Sequence, residues 1–467
     1  MIIPEKEYEI QESKSTVLRF LKRFKIGKLL KECNCRKTKG ISVIQIFTYL
    51  INLVFMNGSM YMQMKTGKCP ETFDDNTVYR FLNNAKANWE KFLFILSERI
   101  INGVIRNLTS ENRVDAFIVD DSFYRKRGYK SSELVSWVFD HVAMKTQTGF
   151  RMLTLGWTDG ATFIPIFGRL LASSKIEMIR GIVHEFDKRT LAHDIRRQAC
   201  TKATELIVEV LKKAVRYGHK AKYVLFDSWF ASPASITKIK NETGLDTIAM
   251  IKKSGKVNYE YEGKMLNIKQ IFSKNKKRRG RSKYLLSVFV NVITKENGRI
   301  ISSIPAKIVF VRNRNVKSDW LALISTDTNV TEEEIIRIYG KRWDIEVFFK
   351  TCKSMLKLTG TNRSTGYDAM TCYMSIVFVR YMIISLEKRN NTDWRTAGEM
   401  FFLLCEEVSD ISLTNALTIL IEVMMVSIKE FFGLSEERIN EFYNLFVSKL
   451  PDYIKKTLCV SEGSAVA

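Results

Sequence analysis

Two short apolar runs that each end in aspartate constrain this chain more than any other feature. The first, VDAFIVDDSF from Val114 to Phe123, closes on Asp120 and Asp121. The second, KYVLFDSWFASP from Lys222 to Pro233, closes on Asp227. Runs so short and so uniformly apolar read as strands buried on both faces, at the centre of a layered α/β sheet. Open sheets gather ligands beyond the carboxyl ends of their strands, so carboxylates at two such ends can meet. Taken singly, a strand-end Asp is an ordinary turn-former or helix cap. A third acidic residue in a matching place makes the set more than that.

That residue is Glu346, in TEEEIIRIYGKRWDIEVFFKTCKSMLKL, Thr331 to Leu358. The stretch reads as one long helix, opened by a capping box between Thr331 and Glu334. At about 100° per residue, Tyr339, Arg342, Glu346, Lys350 and Lys353 share a stripe about 80° wide. Ile335, Ile338, Ile345, Phe348 and Met355 lie on the other sides. Two readings fit the stripe. In one, Arg342, Glu346 and Lys350 form solvated i,i+4 ion pairs worth a few tenths of a kcal/mol each. In the other, Glu346 joins the aspartates on a divalent cation while the basic residues hold phosphate.

Charge favours a polyanionic partner. Over 467 residues, 74 Lys and Arg stand against 50 Asp and Glu, a net charge of +24. Nucleic acid is the default reading of so large an excess. A membrane surface is less well supported, because no polybasic amphipathic tail or lipidation motif is present. The amino-terminal MIIPEKEYEIQESK has no apolar core and is not expected to be a signal peptide. The apolar run Met370 to Leu386 is interrupted by Arg380 and is expected to be a buried helix. The chain is therefore expected to be cytoplasmic. The eight cysteines and four histidines form no zinc-spaced set, which points to packed thiols. No Walker loop implies ATP.

Along the chain, residues 1–110 read as helices: Thr16 to Leu30, Ile41 to Phe55, and Phe73 to Lys86. The last fits either a DNA-recognition helix or a bundle corner. Strand-like runs follow at Leu134 to Ala143, Phe150 to Trp157 and Phe163 to Leu171, then a helix over Lys188 to Tyr217. Between Asp227 and Glu346 a β-rich, basic insertion is expected over about 240–330. Its strands are Val257 to Ile268, Tyr284 to Ile293 and Ile300 to Val311, with Asn297-Gly298 as a hairpin turn. Lys274 to Lys283, KNKKRRGRSK, is a basic loop placed to touch phosphates, or merely a solvated one. Three or so helices complete the chain to about Leu458, and the tail SEGSAVA is expected to be disordered.

The spacing Tyr339, Arg342, Glu346, Lys353 resembles the Y-R-E-K signature of insertion-sequence DDE transposases. Over about residues 113–386 the chain is similar to that family. The resemblance implies an α/β fold: an RNase H-like catalytic core (111–386) with a β-insertion, flanked by helical domains at 1–110 and 387–467. It implies Asp121, Asp227 and Glu346 as the catalytic metal ligands. Asp121 is chosen over its twin Asp120 because the family's first Asp commonly precedes Ser or Thr, here Ser122. It further implies two Mg²⁺ or Mn²⁺ ions. Tyr339, Arg342, Lys350 and Lys353 would contact phosphate, and Trp320 would stack a flipped base. The partners implied are double-stranded DNA at the element's ends and in the target, and a second copy in a synaptic dimer. A stand-alone RNase H-like nuclease or a DNA-binding relic remain the alternatives.

Overall fold

The computed structural model describes residues 15–56, 59–66, 75–110, 113–140, 143–279, 282–313, 316, 318–359, 364–390, 396–451 and 454–455. The amino-terminal peptide, the start of the segment from Phe73, the centre of the basic loop and the tail SEGSAVA lie outside the described residues.

Six helices come first: α1 (Thr16–Arg23), α2 (Ile26–Glu32), α3 (Val43–Asn52), α4 (Met60–Lys65), α5 (Asp75–Leu82) and α6 (Trp89–Ile100). The helix expected over Thr16 to Leu30 is broken at Lys25, whose backbone turns left-handed at φ 51°. The sheet follows, with β1 (Ala116–Arg125), β2 (Ser136–Asp140), β3 (Lys145–Thr158) and β4 (Phe163–Leu171). Next come α7 (Leu191–Ala199), α8 (Ala203–Arg216), β5 (Tyr223–Phe226), α9 (Pro233–Thr243) and β6 (Asp246–Ile251). The single helix expected over Lys188 to Tyr217 is thus two. The Cys200 N–H already bends back to the carbonyls of Arg196 and Arg197, closing the first.

Strand order gives the architecture. β4, β3, β1, β5 and β6 are consecutive neighbours, with β1 antiparallel to β3 and parallel to β5, and β5 parallel to β6. This three-antiparallel, two-parallel arrangement with helices packed against it is the RNase H-like core expected from sequence. Each strand is buried along its apolar run, and every residue of β4 and β5 is buried.

The interval before Glu346 holds β7 (Asn258–Tyr261), β8 (Lys264–Asn267), α10 (Ile268–Lys274), β9 (Leu286–Glu296), β10 (Arg299–Arg312) and β11 (Trp320–Ser325). These strands do not form a sheet of their own. β11 pairs antiparallel with β6, and β10 and β9 continue outward from it. The insertion therefore extends the central sheet. Asn297 and Gly298 both have positive φ, 49° and 80°, as a tight hairpin turn between β9 and β10 requires.

The last elements are α11 (Glu332–Gly340), α12 (Trp343–Ser354), α13 (Tyr367–Asn390), α14 (Ala397–Phe432) and α15 (Glu436–Lys449). Two helices, rather than three, follow α13 among the described residues. α13 is long and apolar enough to cross a membrane, but it is a core helix with 89% of its apolar window buried. Arg380, the charge that interrupts it, is itself buried and donates to the carbonyls of Leu50, Ile51 and Leu356. It thereby caps the carboxyl end of α3, where backbone acceptors lack helical partners. α14 also passes the length and hydropathy test, yet only 6% of its window is buried. Met425 on α14 with Ile439, Tyr443 and Val447 on α15 makes a small separate core.

Candidate active site

Strand register sets the first two carboxylates side by side. Ile118 on β1 pairs with Leu225 on β5 in parallel. Asp120 and Asp227 each stand two residues further on: Asp227 just past the carboxyl end of β5, and Asp120 within β1, which runs on to Arg125 instead of ending at the aspartates. The Asp227 carboxylate accepts the Trp229 N–H at 2.8 Å, which closes the turn after β5. This is the turn-forming role an Asp has at such a place.

Strand alternation separates Asp120 from Asp121, because successive side chains point to opposite faces. Asp120 and Ser122 face α12. Arg342, at the start of α12, donates to the Asp120 carboxylate at 3.1 Å and also to Glu346. Lys353 on the same helix donates to the Ser122 hydroxyl at 2.6 Å. Asp121 faces the other way and is paired with Arg151 on β3. Asp121, expected to join Asp227 and Glu346, thus lies on the face of β1 opposite Arg342. Arg342 joins Asp120 to Glu346, and the Asp227 carboxylate lies near Asp120.

The helix carrying Glu346 is also not continuous. After Gly340 the hydrogen bonds shorten from i−4 to i−3: Lys341 to Ile338, Arg342 to Tyr339, and Asp344 to Lys341. The ammonium of Lys341 reaches inward to the carbonyls of Val114 (2.5 Å) and Asp159 (3.2 Å), which ties this turn to the strand ends. The tightened turn still leaves Tyr339, Arg342, Glu346 and Lys353 on the side facing the sheet. The Arg342 guanidinium lies 5.9 Å from the Tyr339 ring centroid. The i,i+4 ion pair of the plainer reading exists, but Arg342 shares itself between Glu346 and Asp120. Lys350 is exposed one turn beyond Glu346.

Electrostatics follow from burial. Asp120 is pushed up to about 7, first by burial, with the nearby Asp227 and Asp121 carboxylates adding and Arg342 opposing. Burial, with Asp227 and Asp120 nearby, pushes the Tyr339 phenol up to about 12, so it stays protonated. Lys353 is held below the usual lysine range by burial. The pocket thus carries more carboxylate than Arg342 alone balances. Three oxygen-donor side chains with surplus negative charge are the chemistry a hard divalent cation takes. Among the described residues, however, no three acidic, histidine or cysteine side chains stand in a closed ligand set. Arg342 lies between Asp120 and Glu346 instead.

Trp320 is not part of this cluster. Its ring stacks on Phe272 at 4.6 Å between centroids and meets Phe310 edge-on at 5.2 Å, and the Lys253 ammonium lies 4.4 Å from it. It packs the aromatic layer of the insertion, which leaves its ring engaged within the protein. Sequence reasoning missed Arg151, Lys252 and Trp229. Trp229 carried a signal, a large aromatic standing two residues after a strand-end Asp.

The profile of the DDE superfamily endonucleases matches residues 46–284, just over half of the chain. A second profile, that of archaeal transposases of the ISC1217 type, matches residues 298–391, which hold Tyr339, Arg342, Glu346 and Lys353. No curated protein matches the chain.

Proposed function

The chain belongs to the DDE superfamily endonucleases, and from that premise we propose that it is an insertion-sequence transposase that cuts the ends of its element and joins them to target DNA. Its partner is DNA and its chemistry uses a divalent metal. The observation that carries the proposal is Arg342 shared between Asp120 on β1 and Glu346 on α12, with the Asp227 carboxylate that follows β5 near Asp120.

In this reading Asp120, Asp227 and Glu346 hold two Mg²⁺ or Mn²⁺ ions. Bound there, the ions supply activation of the attacking hydroxyl and neutralisation of the leaving oxygen. The protein's own residues do the rest. Arg342 leaves Asp120 and Glu346 to take a phosphate oxygen of the DNA, for which its planar fork is suited. Lys353 and exposed Lys350 neutralise the flanking phosphates, and Tyr339 donates its retained proton to the same backbone. Asp120 takes a cation only as the carboxylate, so binding there strengthens as pH rises.

Residues 1–110 serve as the DNA-binding part, 111–386 as the catalytic part and 387–467 as a helical carboxyl-terminal part. The protein acts as a homodimer on the nucleoid in the cytoplasm, without a membrane. The exposed apolar stripe of α14, with Leu413, Leu417, Leu420, Val423 and Val426, supports a second copy as its cover. Light scattering of wild type and of a Leu417→Lys, Leu420→Lys double variant tests that: a dimer that becomes monomeric supports it, and an unchanged mass rejects it.

The test of function is cleavage of DNA carrying the gene's own flanks, with Mg²⁺, with EDTA, and with Asp227→Asn. Metal-dependent cuts confined to the element's ends and absent in the variant are expected. Cuts scattered over any DNA instead point to a general nuclease. Binding without cutting, unchanged in the variant, removes the catalytic assignment.

A further inference from the structure

Beside the carboxylates, on the face opposite α12, stands a group that the chemistry above does not use. Trp229 is half exposed, and its backbone N–H donates to the Asp227 carboxylate. Two cations lie over its ring: the Arg151 guanidinium at 5.0 Å and the Lys252 ammonium at 4.5 Å from the centroid. They come from opposite sides of the strand pair, Arg151 from β3 and Lys252 from just beyond β6. Arg151 is in turn fixed by Asp121. A large aromatic side chain held half in solvent loses contact with water only when something covers it, and tryptophan is seldom placed so without a partner. Cations on an aromatic ring at the lip of a phosphate-handling site are what a nucleic-acid strand meets well: base on ring, phosphates on cations.

We propose that Trp229 is a stacking platform for an unpaired nucleobase beside the Asp227 turn, with Lys252 and Arg151 contacting the adjoining backbone, and that Asp121 is a positioning residue acting through Arg151. The proposal rests on the reading that this site takes DNA. It gives the second carboxylate of the Asp120–Asp121 pair a task of its own, away from the ions. Arg151, clamped by Asp121, keeps its place against the ring. Lys252 swings to the phosphate as the base arrives.

The test uses the full chain in EDTA, so that nothing is cut. The probes are a short duplex whose frayed end carries 2-aminopurine and the same duplex fully paired. Wild type is expected to quench the 2-aminopurine. Trp229→Ala loses the quench and binds the frayed probe roughly tenfold more weakly, with fully paired binding changed by less than about twofold. Trp229→Phe restores most of both. Asp121→Asn and Arg151→Gln lose part of the quench, and Asp121→Glu recovers it. Circular dichroism of each variant checks that it is folded. A Trp229→Ala protein that quenches and binds like wild type overturns the platform, and an Asp121→Asn protein that does so overturns the positioning role. Wild-type cleavage of the flanking DNA is measured in parallel with Mg²⁺. Quench that depends on Trp229 in a protein that does not cut supports the platform while removing the enzymatic reading. Cutting with a quench indifferent to Trp229 does the reverse.

Discussion

Asp120 and Asp121 differ by one position and by everything that matters chemically. One faces Arg342, Glu346 and Asp227, while the other faces Arg151. Removing the charge of Asp120 takes away an oxygen donor at the reacting phosphate, so Asp120→Asn is expected to lower cleavage by roughly a thousandfold or more. Binding of the DNA should change little. Asp121→Asn acts through Arg151 and Trp229 and removes one charge near Asp120, but takes no oxygen donor from the Arg342 face, and is expected to cost no more than about tenfold. Single-turnover cleavage with saturating Mg²⁺ separates the two; equal losses would sink the distinction. The placement of the two aspartates was legible in part. Ser122 marks its neighbour Asp121 by family resemblance, but in a strand it shares a face with Asp120, two residues away. Lys353 touches that serine, which a Y-R-E-K spacing alone does not say. Trp320 was legible as an aromatic before a strand; that its ring is consumed by Phe272 depends on a contact 48 residues away in sequence, with no local trace.

The turn between α11 and α12 is the element on which the site's geometry depends. Its periodicity reads straight through Gly340, because a two-residue tightening barely shifts which residues share a face. What holds the turn is Lys341 lying over Gly160, whose φ is +86°. A Cβ at 160 would stand 2.9 Å from the Lys341 side chain, and the backbone there suits only glycine. Gly160→Ala is expected to lose about 1–3 kcal/mol of stability and to loosen the bonds of Lys341 to Val114 and Asp159. Cleavage should fall with it, since α12 is displaced from β1. The contrasting substitution is Gly340→Ala. Nothing lies within 4 Å of a Cβ at that position. It ends α11 without a positive φ, so alanine should stabilise by roughly 0.5–1 kcal/mol and leave cleavage intact. Urea denaturation of both variants checks the signs, and a destabilised Gly340→Ala would mean that the turn, not Lys341, is what needs glycine.

At the scale of the molecule, the helices before β1 and the sheet share one continuous apolar core, although composition and periodicity read them as successive parts. Sequence patterns report which residues are apolar, and not which distant apolar face they meet. One junction in that core is polar and titratable. His219, buried after α8, bonds through Nδ1 to the Ala214 carbonyl at 3.1 Å and through Nε2 to the Ser97 hydroxyl of α6 at 2.9 Å. Burial pushes its pKa down to about 4, with the Ala214 bond opposing and the Arg106 charge adding. In the unfolded chain an ordinary histidine titrates near 6.5. Between those values the unfolded state binds a proton that the native state refuses, so stability rises with pH across this window. The contribution is complete above about 6.5 and is lost as pH falls through about 4, on the order of 3 kcal/mol in all. His219→Gln removes the titration, so the stability difference between wild type and variant should shrink by that order between pH 7 and pH 4. Urea unfolding of both proteins at the two values measures it directly, since carboxylates common to both cancel in the difference. A gap of equal size at both values would mean that His219 is charged or solvated where the helices meet the sheet. The junction would then give way at acid pH for some other reason.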